Sequence, residues 1–189
     1  MRFKIHFLTA LLSITSTAIA APIPQDKTLL GKFGEWRAAS TSGPQHTKCH
    51  VTAKPKKATF VDKKNKNKKR GRTYILVSRR SHCTDPAMVT FGFGYPINEK
   101  KDVMAVIERH KFDLLAQGER AWALSDQDEI RLIEAMKGGK ELILKATSKR
   151  GACTEDTYSL AGFSKAWSRA KVACPTKKIA PQKPTKKKA

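Results

Sequence analysis

Between Val89 and Tyr95 the chain alternates strictly. Val89, Phe91, Phe93 and Tyr95 share one side, while Thr90, Gly92 and Gly94 share the other. A period of two belongs to a strand, and a row of large apolar side chains on one face demands a second layer to cover it. The glycine face leaves room for another group to approach the backbone closely. Thr47, Cys49, Val51 and Ala53 alternate in the same way with Lys48, His50 and Thr52, which turns Cys49 inward. Tyr74-Ile75-Leu76-Val77 is apolar on both faces and is expected to be central. Shorter strands are expected at Phe33–Ala38, Arg120–Leu124, Glu141–Ala146 and Thr157–Leu160, with a hairpin turning at Arg109-His110. Pro96 ends ladder pairing after Tyr95.

Two segments carry the helical period instead. Ser125 with Asp128 resembles a capping box, and Asp126, Asp128 and Glu129 occupy the first turn, where the helix dipole favours acids. Ile130, Ile133 and Met136 supply its expected apolar side, and Gly138-Gly139 ends it. Phe163, Ala166, Trp167, Ala170 and Cys174 then form one stripe of a second helix, closed by Pro175. Trp36, Trp122 and Trp167 all fall at expected core positions. Eight or nine short strands with two short helices predict a mainly β chain, an antiparallel sandwich or barrel.

The N-terminus adds an address. Arg2 and Lys4 precede an uncharged run from Phe7 to Ile19 that ends in Ala18-Ile19-Ala20. This is the pattern of a secretory signal peptide over residues 1–20, and the run is well short of the ~20 residues of a spanning helix. The expected mature chain is periplasmic, with secretion or surface attachment as the alternatives. Residues 21–28 read as a flexible lead-in, 29–174 as one domain and 175–189 as a disordered Lys/Pro tail.

The formal charge of +22 is unevenly placed. Residues 54–72 hold ten Lys or Arg against one acid, Asp62, and residues 175–189 hold six Lys and no acid. The body is therefore only mildly basic and carries two strongly basic appendages. Four cysteines, Cys49, Cys83, Cys153 and Cys174, suggest two disulfides in an exported chain. Zinc competes weakly, since no C-x-x-C pair occurs and His46-x-x-Cys49-His50 is the sole suggestive cluster. Cys49 and Cys174 both face a core, whereas Cys83 and Cys153 both lie in polar loops. Pairing like with like favours Cys49–Cys174 and Cys83–Cys153 among three connectivities.

Phe33-Gly34-Glu35-Trp36, Gly94-Tyr95-Pro96, Ala121-Trp122-Ala123, Ala135-Met136-Lys137-Gly138-Gly139 and Asp156-Thr157-Tyr158-Ser159-Leu160-Ala161-Gly162-Phe163 occur in this order. Together they resemble the invasion-associated locus B family of exported alphaproteobacterial proteins, over most of residues 31–174. The resemblance implies an immunoglobulin-like antiparallel β-sandwich and a virulence role linked to host-cell invasion, with no established catalytic residues. It also implies cysteines at the places of Cys49 and Cys174, with Cys83 and Cys153 as an addition. The swollen basic segment and the lysine tail depart from the family pattern.

No G-x-S-x-G, H-E-x-x-H or P-loop string is present, and the acids Asp126 and Asp128 are explained by their helix start. A non-catalytic protein without metal or cofactor is expected. Lys63, Lys64, Lys66, Lys68, Lys69, Arg70 and Arg72 are the candidates for contact with a polyanion of the envelope or of a host surface. Nucleic acid is disfavoured by export and by the lack of aromatics in this segment. The alternative is a structural periplasmic protein that binds a protein partner through the sandwich edge or the Gly92/Gly94 face.

Overall fold

The computed structural model describes residues 27–43, 47–61, 70–81 and 87–175. The expected leader, most of the lead-in, Cys83 and the tail beyond Pro175 lie outside them, as do residues 62–69. The fold is mainly β, as the alternation requires. Among the described residues the eleven strands are β1 (Lys27–Phe33), β2 (Trp36–Ser42), β3 (Thr47–Ala53), β4 (Lys57–Val61), β5 (Tyr74–Arg80), β6 (Met88–Gly92), β7 (Met104–Ile107), β8 (His110–Gln117), β9 (Arg120–Ala123), β10 (Glu141–Thr147) and β11 (Cys153–Ser159). Helices α1 (Asp126–Gly138) and α2 (Phe163–Ala173) complete it.

Every strand pairs antiparallel, in the order β1-β2-β3-β5-β6-β9-β8-β7-β10-β11-β4. β8 makes this ladder sandwich-like by changing partners midway. His110–Asp113 pair with β7, and Leu114–Gln117 pair with β9. A strand that serves two layers turns a corner between them. One core lies between the layers, from Trp36, Val51, Ile75 and Phe91 on one side to Ile107, Leu142, Leu144 and Tyr158 on the other.

β5 is central, as its two apolar faces predict, and sits between β3 and β6. The glycine face of β6 is filled. A Cβ on Gly92 would overlap the Tyr74 ring, and one on Gly94 would overlap the Gly71 backbone. The space left by these glycines is occupied from within the fold. Two expectations need correction near the N-terminus. The segment at Phe33–Ala38 is not one strand but a turn at Gly34-Glu35 between β1 and β2, and β1 begins at Lys27, inside the expected lead-in. A further strand, β4, lies within the basic segment, which its charge marks as a loop, and pairs with β11.

α2 buries the stripe its sequence predicts: Phe163, Ala166, Trp167 and Ala170, followed by Cys174. α1 is rotated from expectation. Its buried face is Glu129, Leu132, Ile133 and Met136, a regular i, i+3, i+4, i+7 stripe, while Ile130 is half exposed. Trp122 is only partly buried rather than a core residue. Ser125 caps α1 by accepting from the Asp128 N–H at 3.2 Å.

Glu129 is tolerated in that stripe because its carboxylate accepts the Val89 N–H. Burial, aided by Asp126, pushes its carboxyl up to about 7 from the usual 4.5. The folded state thus holds the proton more tightly than the unfolded state, and this group's contribution is fully present below about pH 4.5. It declines as pH rises through about 7, by on the order of 2–3 kcal/mol. Glu129→Gln keeps an acceptor for Val89 and should remove this slope. The check is the difference in urea stability between E129Q and the native chain at pH 5 and pH 8. A difference independent of pH would show that Glu129 is ionised in the fold throughout.

Candidate functional site

Both ends of the lysine-rich segment reach β11, and the second end also meets the Phe93–Gly94 backbone. Where the described chain stops, Val61 pairs with Cys153 of β11. Where it resumes, Arg70 binds Asp156 of the same strand. The two roots are three residues apart on β11, roughly 10 Å along a strand. The five lysines of the expected polyanion site, Lys63, Lys64, Lys66, Lys68 and Lys69, lie between these roots and outside the described residues. Arg72 is exposed beside them, and Lys54 and Lys57 are exposed on the approach to β4.

Arg70 does not belong with the exposed cations. Its Nη1 and Nη2 donate to the two carboxylate oxygens of Asp156 at 2.6 and 2.5 Å, and its Nε donates to the Phe93 carbonyl at 2.7 Å. The guanidinium also lies over the Tyr95 ring, 5.0 Å from its centroid. The Asp156 side chain is fully buried and that of Arg70 is 9% exposed. Burial pushes the Asp156 carboxyl up, and the two Arg70 hydrogen bonds oppose that shift. Tyr95 and Thr154 share a 2.5 Å hydrogen bond next to the pair, and burial raises the Tyr95 phenol to about 12. With three of its N–H groups bonded inside the fold and its side chain 9% exposed, Arg70 anchors the segment.

Sequence reasoning misses this pair, because the expected strand starts at Thr157 and leaves Asp156 and Cys153 in a polar loop, whereas β11 starts at Cys153. Thr154, Asp156 and Tyr158 occupy the inward positions of β11. A carboxylate in an inward row of a strand needs a buried cation, and Arg70 is the cation that meets it.

Two of the five segments that carry the resemblance, Phe33–Trp36 and Asp156–Phe163, meet in space. The Trp36 indole N–H donates to the Ser159 carbonyl at 2.9 Å, and its ring lies 4.8 Å from that of Phe163. Gly162, at φ 92°, comes so close to the Phe33 carbonyl that a Cβ would overlap that oxygen. Those motifs therefore form a clasp that seats the start of α2 on the β1–β2 turn. The far end of α2 is held by the Cys49–Cys174 disulfide, across 125 residues of sequence. Cys153 is exposed and forms no disulfide among the described residues, and the expected Cys83–Cys153 pairing falls outside them because Cys83 does. Among the described residues no helix is long and apolar enough to cross a membrane.

No family model matches this sequence, and no curated protein sequence matches it. Among solved structures, the chain is similar to the crystal structure of invasion associated protein B from Bartonella henselae. The TM-score is 0.50 at 17% identity, over 76% of this chain and 96% of that one. At that identity the likeness is one of fold, a mainly β, sandwich-like domain.

Proposed function

We propose that this is an exported, non-catalytic envelope or surface protein of the invasion-associated locus B kind, which engages polyanions through its lysine-rich segment. The observation that carries this reading is the placement of charge. Five lysines within seven residues are tied at both ends to one strand, with Arg72, Lys54 and Lys57 exposed at the approaches. Such a cluster attracts sulfated glycans, lipid-borne phosphates or other anionic polymers by long-range electrostatics, with little demand on shape. The disulfide and the shared fold suit a chain working outside the reducing cytosol. Nothing in this reading requires metal, cofactor or a bond-making step.

Heparin retention tests it. Replacing Lys63, Lys64, Lys66, Lys68, Lys69 and Arg72 by Gln should move elution to distinctly lower salt. The log–log salt dependence should flatten by roughly 0.7–0.9 for each cation that no longer pairs with the polymer. Unchanged retention would place the binding surface elsewhere. A second reading rests on the edge strand β1, where Leu29 is 67% exposed. An edge strand can accept a further strand from a protein partner. Crosslinks to a partner that survive high salt and map to β1 would favour it.

A further inference from the structure

A cleft of about 530 Å³ lies outside the lysine-rich segment and differs from it in composition. It opens where the ends of β5, β6 and β9 meet the first turn of α1 and the start of β3, and its volume falls in the range of small-molecule sites. Trp122, half-buried, forms one wall. Met88 and Leu124, 48% and 59% exposed, form an apolar lip. Lys48, Arg79 and Arg80 line it together with Glu129 and Asp126, so the lining holds more cations than acids.

Arg79 is the informative residue. Its Nε is buried, and no acceptor among the described residues reaches it. Its guanidinium carbon lies 5.8 Å from the Trp167 ring centroid, a contact that orients the planar group without satisfying that N–H. A buried donor without an acceptor is costly, and in a native fold it calls for an explanation. Burial also weakens the hold of Arg79 on its charge, which an incoming anion would reverse.

We infer that this cleft binds a small organic monoanion, a carboxylate carried on an apolar or aromatic body. The carboxylate meets the Arg79 guanidinium where it lines the cleft, in the planar geometry that guanidinium and carboxylate share, and the apolar body lies against Trp122 between Met88 and Leu124. Arg79 and Lys48 in the lining favour an anion over a cationic ligand. A polymer would not fit the volume, which separates this site from the lysine-rich segment.

The test uses 3-phenylpropionate and its neutral amide as probes on the full, disulfide-intact protein, followed by ¹H–¹⁵N NMR. Phenylpropionate should shift the signals of Arg79, Met88 and the Trp122 indole. The amide should bind at least about tenfold more weakly, as should phenylpropionate to Arg79→Met, because a charge-assisted hydrogen bond is removed. Should R79M fail to fold, Met88→Glu on the exposed lip sets a carboxylate against the probe and should abolish the shifts. Shifts confined to other residues, equal binding of the amide, or full affinity in R79M or M88E would overturn the inference. Equal displacement of phenylpropionate by inorganic phosphate alone would also overturn it, since the apolar wall would then contribute nothing.

Discussion

Asp156→Ala will destabilise the protein by about 3–5 kcal/mol, because it strands the Arg70 guanidinium in the core. Arg70 is 9% exposed, and two of its three hydrogen bonds go to that carboxylate. Most of the loss is the desolvation of an uncompensated charge rather than the value of the bond itself. The double variant Arg70→Met with Asp156→Leu removes both charges and keeps apolar volume, so it should come within about 1–2 kcal/mol of the native chain. Urea denaturation of the single and double variants measures both values. A double variant as unstable as the single one would mean that shape, not charge, holds this corner. The same pair separates anchoring from binding. Heparin retention of the folded double variant should match the native chain, because the lysines are untouched.

How far the fold can be read from sequence depends on whether local periodicity carries the burial. In α2 it does: Phe163, Ala166, Trp167 and Ala170 keep the helical period without a polar interruption, and all four are buried. In α1 it misleads, because one of the four buried positions is Glu129, and a hydrophobic count turns the helix toward Ile130 instead. β4 is hidden because Lys57 and its surroundings read as part of a charge run. An edge strand with one neighbour needs little alternation to form. Arg70 passes for a solvated cation for the same reason, since composition alone does not distinguish a charge facing water from one facing Asp156. The close approach of Gly162 to Phe33 depends on a contact between distant segments, which no local pattern reports. Arg79 gives no sequence signal at all: that its Nε meets no acceptor among the described residues is a property of the packed site.

Removing the Cys49–Cys174 bridge should have the largest effect of any single change. In the chain-entropy account a crosslink over 125 residues restricts the unfolded chain by roughly 4–5 kcal/mol, comparable with the whole stability of a small domain. The fold concentrates the consequence in α2. That helix has eleven residues, no side-chain cap and no acid in its first turn, so it cannot persist on its own propensity. It is held by the Trp36–Phe163 clasp at one end and by the disulfide at the other. Cys49→Ala with Cys174→Ala, or reduction of the native chain, should therefore lower the urea midpoint by about 2 M, taking a slope of ~2 kcal/mol per molar. Amide exchange should rise first along Ala170–Ala173, next to the missing bridge, and later at Phe163, where the clasp remains. Exchange that rises evenly along α2 would mean that the clasp contributes nothing independent. A midpoint shift well under 0.5 M would mean that the unfolded chain already keeps α2 against β3. In the second case, holding the helix would no longer be the role of the bridge.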